Sequence, residues 1–503
     1  MSSANGLICF TNCLLPTEDG GLVQKDLWID ERRGVILDSQ RTFFLRKERP
    51  DRIIDLGGNI LSPGLIDIQI NGAYNFDFSV YEDDDEAYTA GLRRVAQNIV
   101  ETGTQERSLY PKLLHLLRPY SAPGSATLLG WHAEGPFIQF AKRGAHAPQF
   151  LVPAKEEIKS FEDVYGAENL AETEDWLMAG DTEDALGVRV ITAAPEVDGV
   201  MSSVEELVRR GVVFSIGHSI ATTDIATAAV QRGARLITHL FNAMPQLHHR
   251  DPSIIGLLGA SPAESPRTAA QEQASTLASL HRVPSVLKRA AAQEGPQPVS
   301  EAFDDVQTPP QTPLLRAQEG FELGLQKGKV ADLAFERPFY EMIVDGIHSH
   351  PNSVRLAYSA YPDGCILITD GTSAPMHDSP AVLTAPAAMK ILDPNLKDGI
   401  HAWRDGKRFV KAGDKLYLEG TDTLAGSVVT LDKCVRNFSR FTGCSLGEAL
   451  RCATYNPARC LGLEHRKGTL RAGADADLVV LDRKGKVLST WVAGREVWTR
   501  KAM

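Results

Sequence analysis

No uninterrupted apolar run in this chain approaches the ~18 residues that a bilayer crossing requires, so a membrane span is not expected. The opening "MSSANGLICFTNCLL" lacks the basic, apolar and small-residue order of a secretory signal. A basic excess is missing too. Against 64 acidic residues stand 53 basic ones, a net charge of −11, which disfavours a dedicated nucleic-acid binder. Any attraction for an anionic ligand must therefore be local. Cysteine is sparse: seven residues, odd in number and scattered, and the Cys9–Cys13 gap fits no zinc or redox spacing. Reduced, mostly buried thiols in a cytoplasmic protein are expected.

What is present suffices for a sizeable core. The 503 residues are 43% hydrophobic, a length that a large barrel plus a small companion would use up. The first 60 residues read as short strands with turns ("LICFTNCLL", "DLWID", "GVILD", "IIDLGGNIL"), and the last 40 resemble them. A small β-sandwich domain formed by both termini, 1–61 and 464–503, is the economical organisation. The middle, 62–463, repeats a unit. Ser203 and Glu206 form a capping-box pattern for the helix "VEELVRR", Gly211 stops it, and "VVFSIGHS" follows as a strand ending near His218. The helix "TTDIATAAVQR" and the strand "ARLITH", ending at His239, repeat the sequence of events.

Other strands end in the same way, delivering Glu134, Glu196, Asp345 with His348, and Asp370. With "LSPGLIDIQING" at the front, seven apolar strands carry polar C-terminal ends. The expected fold is α/β, a (β/α)8 TIM-like barrel lacking one strand. Two segments break the rhythm. From about 261 to 336 the chain is rich in Ala, Gln, Pro, Ser and Glu, as expected of a disordered or loosely helical insertion. "YEDDDE" at 81–86 reads as helix-start acids rather than a cation site.

Three strand ends carry one carboxylate and two imidazoles: Glu134, His218 and His239. That donor set suits zinc and leaves a coordination position open. Asp370, after "ILIT", is placed to take a proton from an attacking water and return it to a leaving amine; capping the next turn is the competing role. In "THLFNAMPQLHHRDP", Asn242 and the Ala243 backbone suit a polar ligand, and the forked donors of Arg250 suit a phosphate. A loop amide and a solvated arginine are the structural alternatives. His146, after a basic pair, faces either substrate or surface.

The motifs "SPGLIDIQING", "HAEGPF", "KRGAHAP", "SIGHS", "THLFNAM", "DGIH", "ITDGT" and "LAGS" occur in an order and context that resembles the N-acetylglucosamine-6-phosphate deacetylases of the amidohydrolase superfamily. The tail "ATYNPARCLGLEHRKGTLRAGADADLVVLD" is similar to that superfamily's return to its β domain. The resemblance implies Glu134, His218 and His239 as ligands of one divalent metal ion, with Asp370 as general base and acid. It further implies substrate contacts from Ala145, His146, Asn242, Ala243, Arg250, His348 and Leu424, Ala425 and Gly426, and Asp345 joins this group. The counterpart of Arg250 reaches the sugar phosphate across a dimer interface, so a homodimer is implied. Many amidohydrolases bind a second metal through His-x-His on the first strand. Here Gln69 and Asn71 stand in those places, and neutral amides are poor zinc ligands. One zinc is expected, with the amides supporting a water or a sugar hydroxyl.

One departure stands out. After "ETGT" at 101–104 the family continues with a strand similar to T-S-x-x-P-T, whereas this chain runs directly into "QERSLYPKLLHLL". About one strand with its loop, ~10 residues, is missing, which is expected to open the sheet and impair folding or activity. The resulting reading is a zinc-dependent deacetylase of an amino-sugar phosphate. The alternatives are an amidohydrolase of another specificity, or a catalytically impaired sugar-phosphate sensor.

Overall fold

Strands covered on both faces by helices read as unbroken apolar runs, and Val188–Ala193 is buried along its whole length. It belongs to a six-stranded, wholly parallel sheet whose spatial order is the order in sequence: Trp131–Glu134, Val188–Ala193, Val213–Ile216, Leu236–Ile237, Phe339–Ile343 and Cys365–Ile368. The computed structural model describes residues 5–70, 72–73, 76–77, 84–98, 125–127, 129–144, 146, 148–170, 187–260, 336–370, 397–402, 408–413, 415–420, 427 and 429–501. The proposed gap after Thr104, the insertion from 261, and the residues Asn71, Ala145, Leu424, Ala425 and Gly426 lie outside them. Among the described residues no helix is long and apolar enough to cross a membrane.

Helices connect the parallel strands and bury one stripe each. In Val200–Arg209 the buried positions Val200, Ser203, Val204 and Leu207 recur at helical spacing. Its start corrects the expected capping box. Gly199, left-handed at φ 77°, opens the helix, and Ser203 lies inside it with its hydroxyl turned back to the Gly199 carbonyl at 2.8 Å. A glycine at that point turns the chain early enough to leave Ser203 no capping role. Thr222 caps Thr223–Gln231, and Asp84 accepts from Ala87 N at 2.9 Å where Asp85–Asn98 begins, so the described acids of "YEDDDE" sit at a helix start.

The stretch expected as the first barrel strand is less regular. Ile60–Pro63 pairs with Leu478–Leu481, away from the parallel sheet, and residues 64–70 form no ladder. They are tied instead by single bonds, Ile66 N to Ala453 O and Asp370 N to Gln69 O. Alternation does not separate two faces here, because Ile66, Asp67, Ile68 and Gln69 are all buried.

Two further sheets hold the chain ends. One runs Val35–Leu37, Leu27–Asp30, Leu7–Thr11, Arg52–Asp55; the other runs Arg495–Thr499, Val487–Val492, Leu478–Leu481, Ile60–Pro63, Leu14–Pro16, Leu22–Gln24. Ile8, Phe10, Ile29 and Ile36 of the first share a core with Leu61, Leu478, Val480 and Trp491 of the second. Phe10 meets Trp491 edge-on at 5.0 Å, a geometry contributing about 0.5–1.5 kcal/mol beyond burial. All seven cysteines are free, and six of them are buried.

Candidate active site

Glu134 closes its strand, while His218, His239 and Asp370 each lie two residues beyond the end of theirs. The last three have positive φ, 48°, 29° and 45°, a left-handed turn that costs an L-residue about 1–3 kcal/mol each. Surrounding contacts hold these turns. Thr369 donates to Asp67 at 2.6 Å, which anchors the residue before Asp370, and so Asp67 is a support rather than a reacting group. Glu196 accepts from Ser219 Oγ and Ile220 N, both at 2.7 Å, clamping the chain just after His218.

The side chains converge. His218 Nε2 and His239 Nε2 lie 2.8 and 2.9 Å from the same Glu134 oxygen and 3.1 Å from each other. His218 Nδ1 lies 2.7 Å from the Lys142 carbonyl, which can only accept, so Nδ1 carries a hydrogen. In a neutral ring the Nε2 lone pair would then face a carboxylate oxygen. Such a cluster is stable only with positive charge at its centre, either protons or a cation. Its titration says the same. Burial pulls the His239 pKa down, but the hydrogen bond and charge of Glu134 outweigh it and raise the value to about 9. Burial works to raise the Glu134 carboxyl, yet His218 and His239 hold it well below the usual range.

His146 extends the group. Its Nε2 is 3.8 Å from the other Glu134 oxygen, and donor atoms of Glu134, His146 and His218 all lie within 4.8 Å of one another. Two overlapping donor sets therefore share Glu134 and His218, and the one completed by His239 is the tighter.

Asp370 lies beside these donors. Burial pushes its carboxyl up to about 6 with help from the charge of Glu134, opposed by His239, His348 and His218. His348 is held by Asp345, whose Oδ2 lies 2.6 Å from Nδ1 and whose Oδ1 accepts the N–H groups of Ile347 and His348. Asp345 is thus engaged by its own loop and orients His348. Asn242 donates back to the His239 and Leu240 carbonyls at 3.2 and 3.4 Å, and Ala243 is left-handed at φ 49°. Arg250 is exposed. Gln69 is buried, and neither polar atom of its amide has a partner among the described residues. The sequence reading passed over Glu341 and His132, both buried beneath these donors; a carboxylate inside the apolar run "FYEMI" was the available signal.

A parallel sheet with one carboxylate, two imidazoles and a raised Asp at its strand ends defines a hydrolytic centre of the amide-cleaving type. Residues 60–497 match the amidohydrolase family, and the chain belongs to that family. N-acetylglucosamine-6-phosphate deacetylase of Bos taurus is 35% identical, the alignment covering 98% of this chain and 96% of that protein. The deacetylase of the same name from Danio rerio is 34% identical over 98% of this chain and 96% of its own length. Among solved structures, an N-acetyl-D-glucosamine-6-phosphate deacetylase from Mycobacterium smegmatis, in complex with N-acetyl-D-glucosamine-6-phosphate, superposes with a TM-score of 0.63. It is 23% identical, with 99% of this chain and 100% of that one covered. At that identity the structural likeness shows the shared fold. The protein is a hydrolase acting on amide bonds.

Proposed function

We propose that the chain removes acetate from N-acetyl-D-glucosamine 6-phosphate, giving D-glucosamine 6-phosphate in amino-sugar catabolism. The observation that carries this reading is the convergence of His218 and His239 on one Glu134 oxygen, beside an Asp whose carboxyl stays protonated to about pH 6. The shared identity with full-length deacetylases supports the substrate.

Glu134, His218 and His239 would hold one divalent ion, zinc by donor type, which when bound supplies Lewis acidity toward the acetamide carbonyl and the attacking water. Their fit rests on the lone-pair conflict at Glu134, which a cation resolves. The chain's own groups do the rest. Asp370 takes the proton of the attacking water and returns it to the departing amine. His348, its Nδ1 committed to Asp345, presents Nε2 toward the sugar. His146, the Ala145 and Ala243 backbone, Asn242 and the Leu424–Ala425–Gly426 segment complete the sugar site. Gln69 offers its amide to a water or hydroxyl, a role the sequence gives to Asn71 as well.

Arg250 pairs with the phosphate. Its exposure suits a reach across a homodimer, as do Phe140, Ile220 and Leu247, apolar and 57%, 44% and 58% exposed on loops after the strand ends. The same reading takes 62–463 as a (β/α)8 TIM-like barrel lacking one strand and carrying the 261–336 insertion, and 1–61 with 464–503 as a β-sandwich, supported by the core shared by the terminal sheets. The free cysteines fit a cytoplasmic setting. The test is acetate release by the zinc-loaded chain from N-acetylglucosamine with and without its 6-phosphate. No release from the phosphorylated sugar, or equal release from both, rules the assignment out.

A further inference from the structure

Below the three donors lies a second polar layer that the reaction does not use. Glu341 stands in the middle of the strand Phe339–Ile343 and is wholly buried. Its Oε2 accepts the backbone N–H of His239 at 3.2 Å, and its carbonyl accepts from Leu240 at 2.8 Å. Among the described residues its Oε1 has no hydrogen-bond partner, and His132 Nδ1 lies 3.8 Å from it.

His132 in turn anchors a chain of hydroxyls. Its Nδ1 lies 2.8 Å from the Ile68 carbonyl, so that nitrogen donates. Its Nε2 lies 2.7 Å from the Thr192 hydroxyl. The Thr192 hydroxyl lies 2.6 Å from that of Thr238, and the Thr238 hydroxyl 2.5 Å from that of Ser215. Ser215, Thr238 and His132 lie on the strands that deliver His218, His239 and Glu134. All of these hydroxyls are satisfied without Glu341.

A buried acid with one unbonded oxygen is a poor choice for stability, since an apolar side chain of like volume avoids the desolvation. Its one specific bond goes to the residue with the left-handed backbone, His239 at φ 29°. We propose that Glu341 is a positioning residue. It captures the His239 N–H and so holds the turn that aims His239 Nε2 at Glu134. The inference rests on the reading of Glu134, His218 and His239 as metal donors.

The test uses the full-length chain, stripped of metal and titrated with zinc against a chromophoric chelator, alongside thermal unfolding of the metal-free forms. Glu341→Met should weaken zinc binding ~10–100-fold, the range for outer-shell partners, while the metal-free protein melts at or above the native temperature. Glu341→Gln keeps a carbonyl acceptor and should stay within about threefold of native affinity. Opposite movement of affinity and stability is what a merely structural residue does not give. Native zinc affinity in Glu341→Met, a parallel fall in affinity and melting temperature, failure of that variant to fold, or equal losses in both variants overturns the proposal. A native chain that takes up no zinc overturns the metal reading itself, a separate result.

Discussion

Two buried charge clusters, built to different rules, sit in this molecule. Beside the terminal sheets, Lys467 is 7% exposed and places its ammonium 2.5 Å from Asp477 and 3.3 Å from Asp475. Asp475 also holds Arg466 at 2.9 Å, and Asp477 accepts from Ala493 N at 2.8 Å. Every anion there finds a cation or a donor within the chain. At the strand ends the protein instead aims two imidazoles and a carboxylate at one point, and among the described residues no lysine or arginine pairs with that carboxylate. A closed cluster holds structure together, whereas an open one waits for charge from outside.

The comparison can be broken by experiment, most severely at the open cluster. Removing metal by chelation, or replacing Glu134 with Gln, should lower turnover by about 10³-fold or more, because the Lewis-acid contribution is several kcal/mol. Zinc should restore only the chelated native chain. Steady-state acetate release measures both.

Asp370→Asn should cost roughly 10²–10⁴-fold in kcat, the usual range for a positioned acid–base group. The base must be ionised, so kcat/KM should rise with pH through an acidic limb at about 6, or lower once a cation sits beside it. A limb above pH 7 would remove Asp370 from this role.

At the closed cluster, Lys467→Ala leaves the buried Asp477 carboxylate without its cation, Asp475 keeping Arg466, and should destabilise folding by about 3–5 kcal/mol, read by urea unfolding. The kcat of the folded fraction should match the native value. If that kcat instead falls as far as with Asp370→Asn, the two clusters are not independent.

The smallest expected effect is at Arg250. Its replacement by Ala should raise KM for the phosphorylated sugar about 10–100-fold, as for one charge-assisted bond pair of about 1.5–3 kcal/mol, with little change for the unphosphorylated sugar. Equal changes for both substrates would mean that the arginine does not read phosphate.

Much of the site was legible because barrel-type strands write their ends into local sequence. Apolar runs followed by Glu134, His218, His239 and Asp370 needed no knowledge of distant contacts, and six of the seven expected strands form the parallel sheet. The misreadings came where a local rule lost to a neighbour. Ser203 suited a cap until Gly199 opened the helix earlier. The run "LSPGLIDIQING" read as the first barrel strand, yet residues 64–70 form no ladder and 66–69 are all buried, so their polarity carried no facing information.

By itself the amino-acid order determined the strand-and-helix rhythm, the donor types and the strand ends on which they stand, since side-chain period and chain-breaking residues act over a few positions. Only the tertiary structure decided which atoms meet. The Glu341 bond to His239 spans 102 residues, and the hydroxyl chain through Thr192 and Thr238 joins strands 46 apart. Such contacts arise from strand register, and register is set by the packing of the whole sheet rather than by any segment of it.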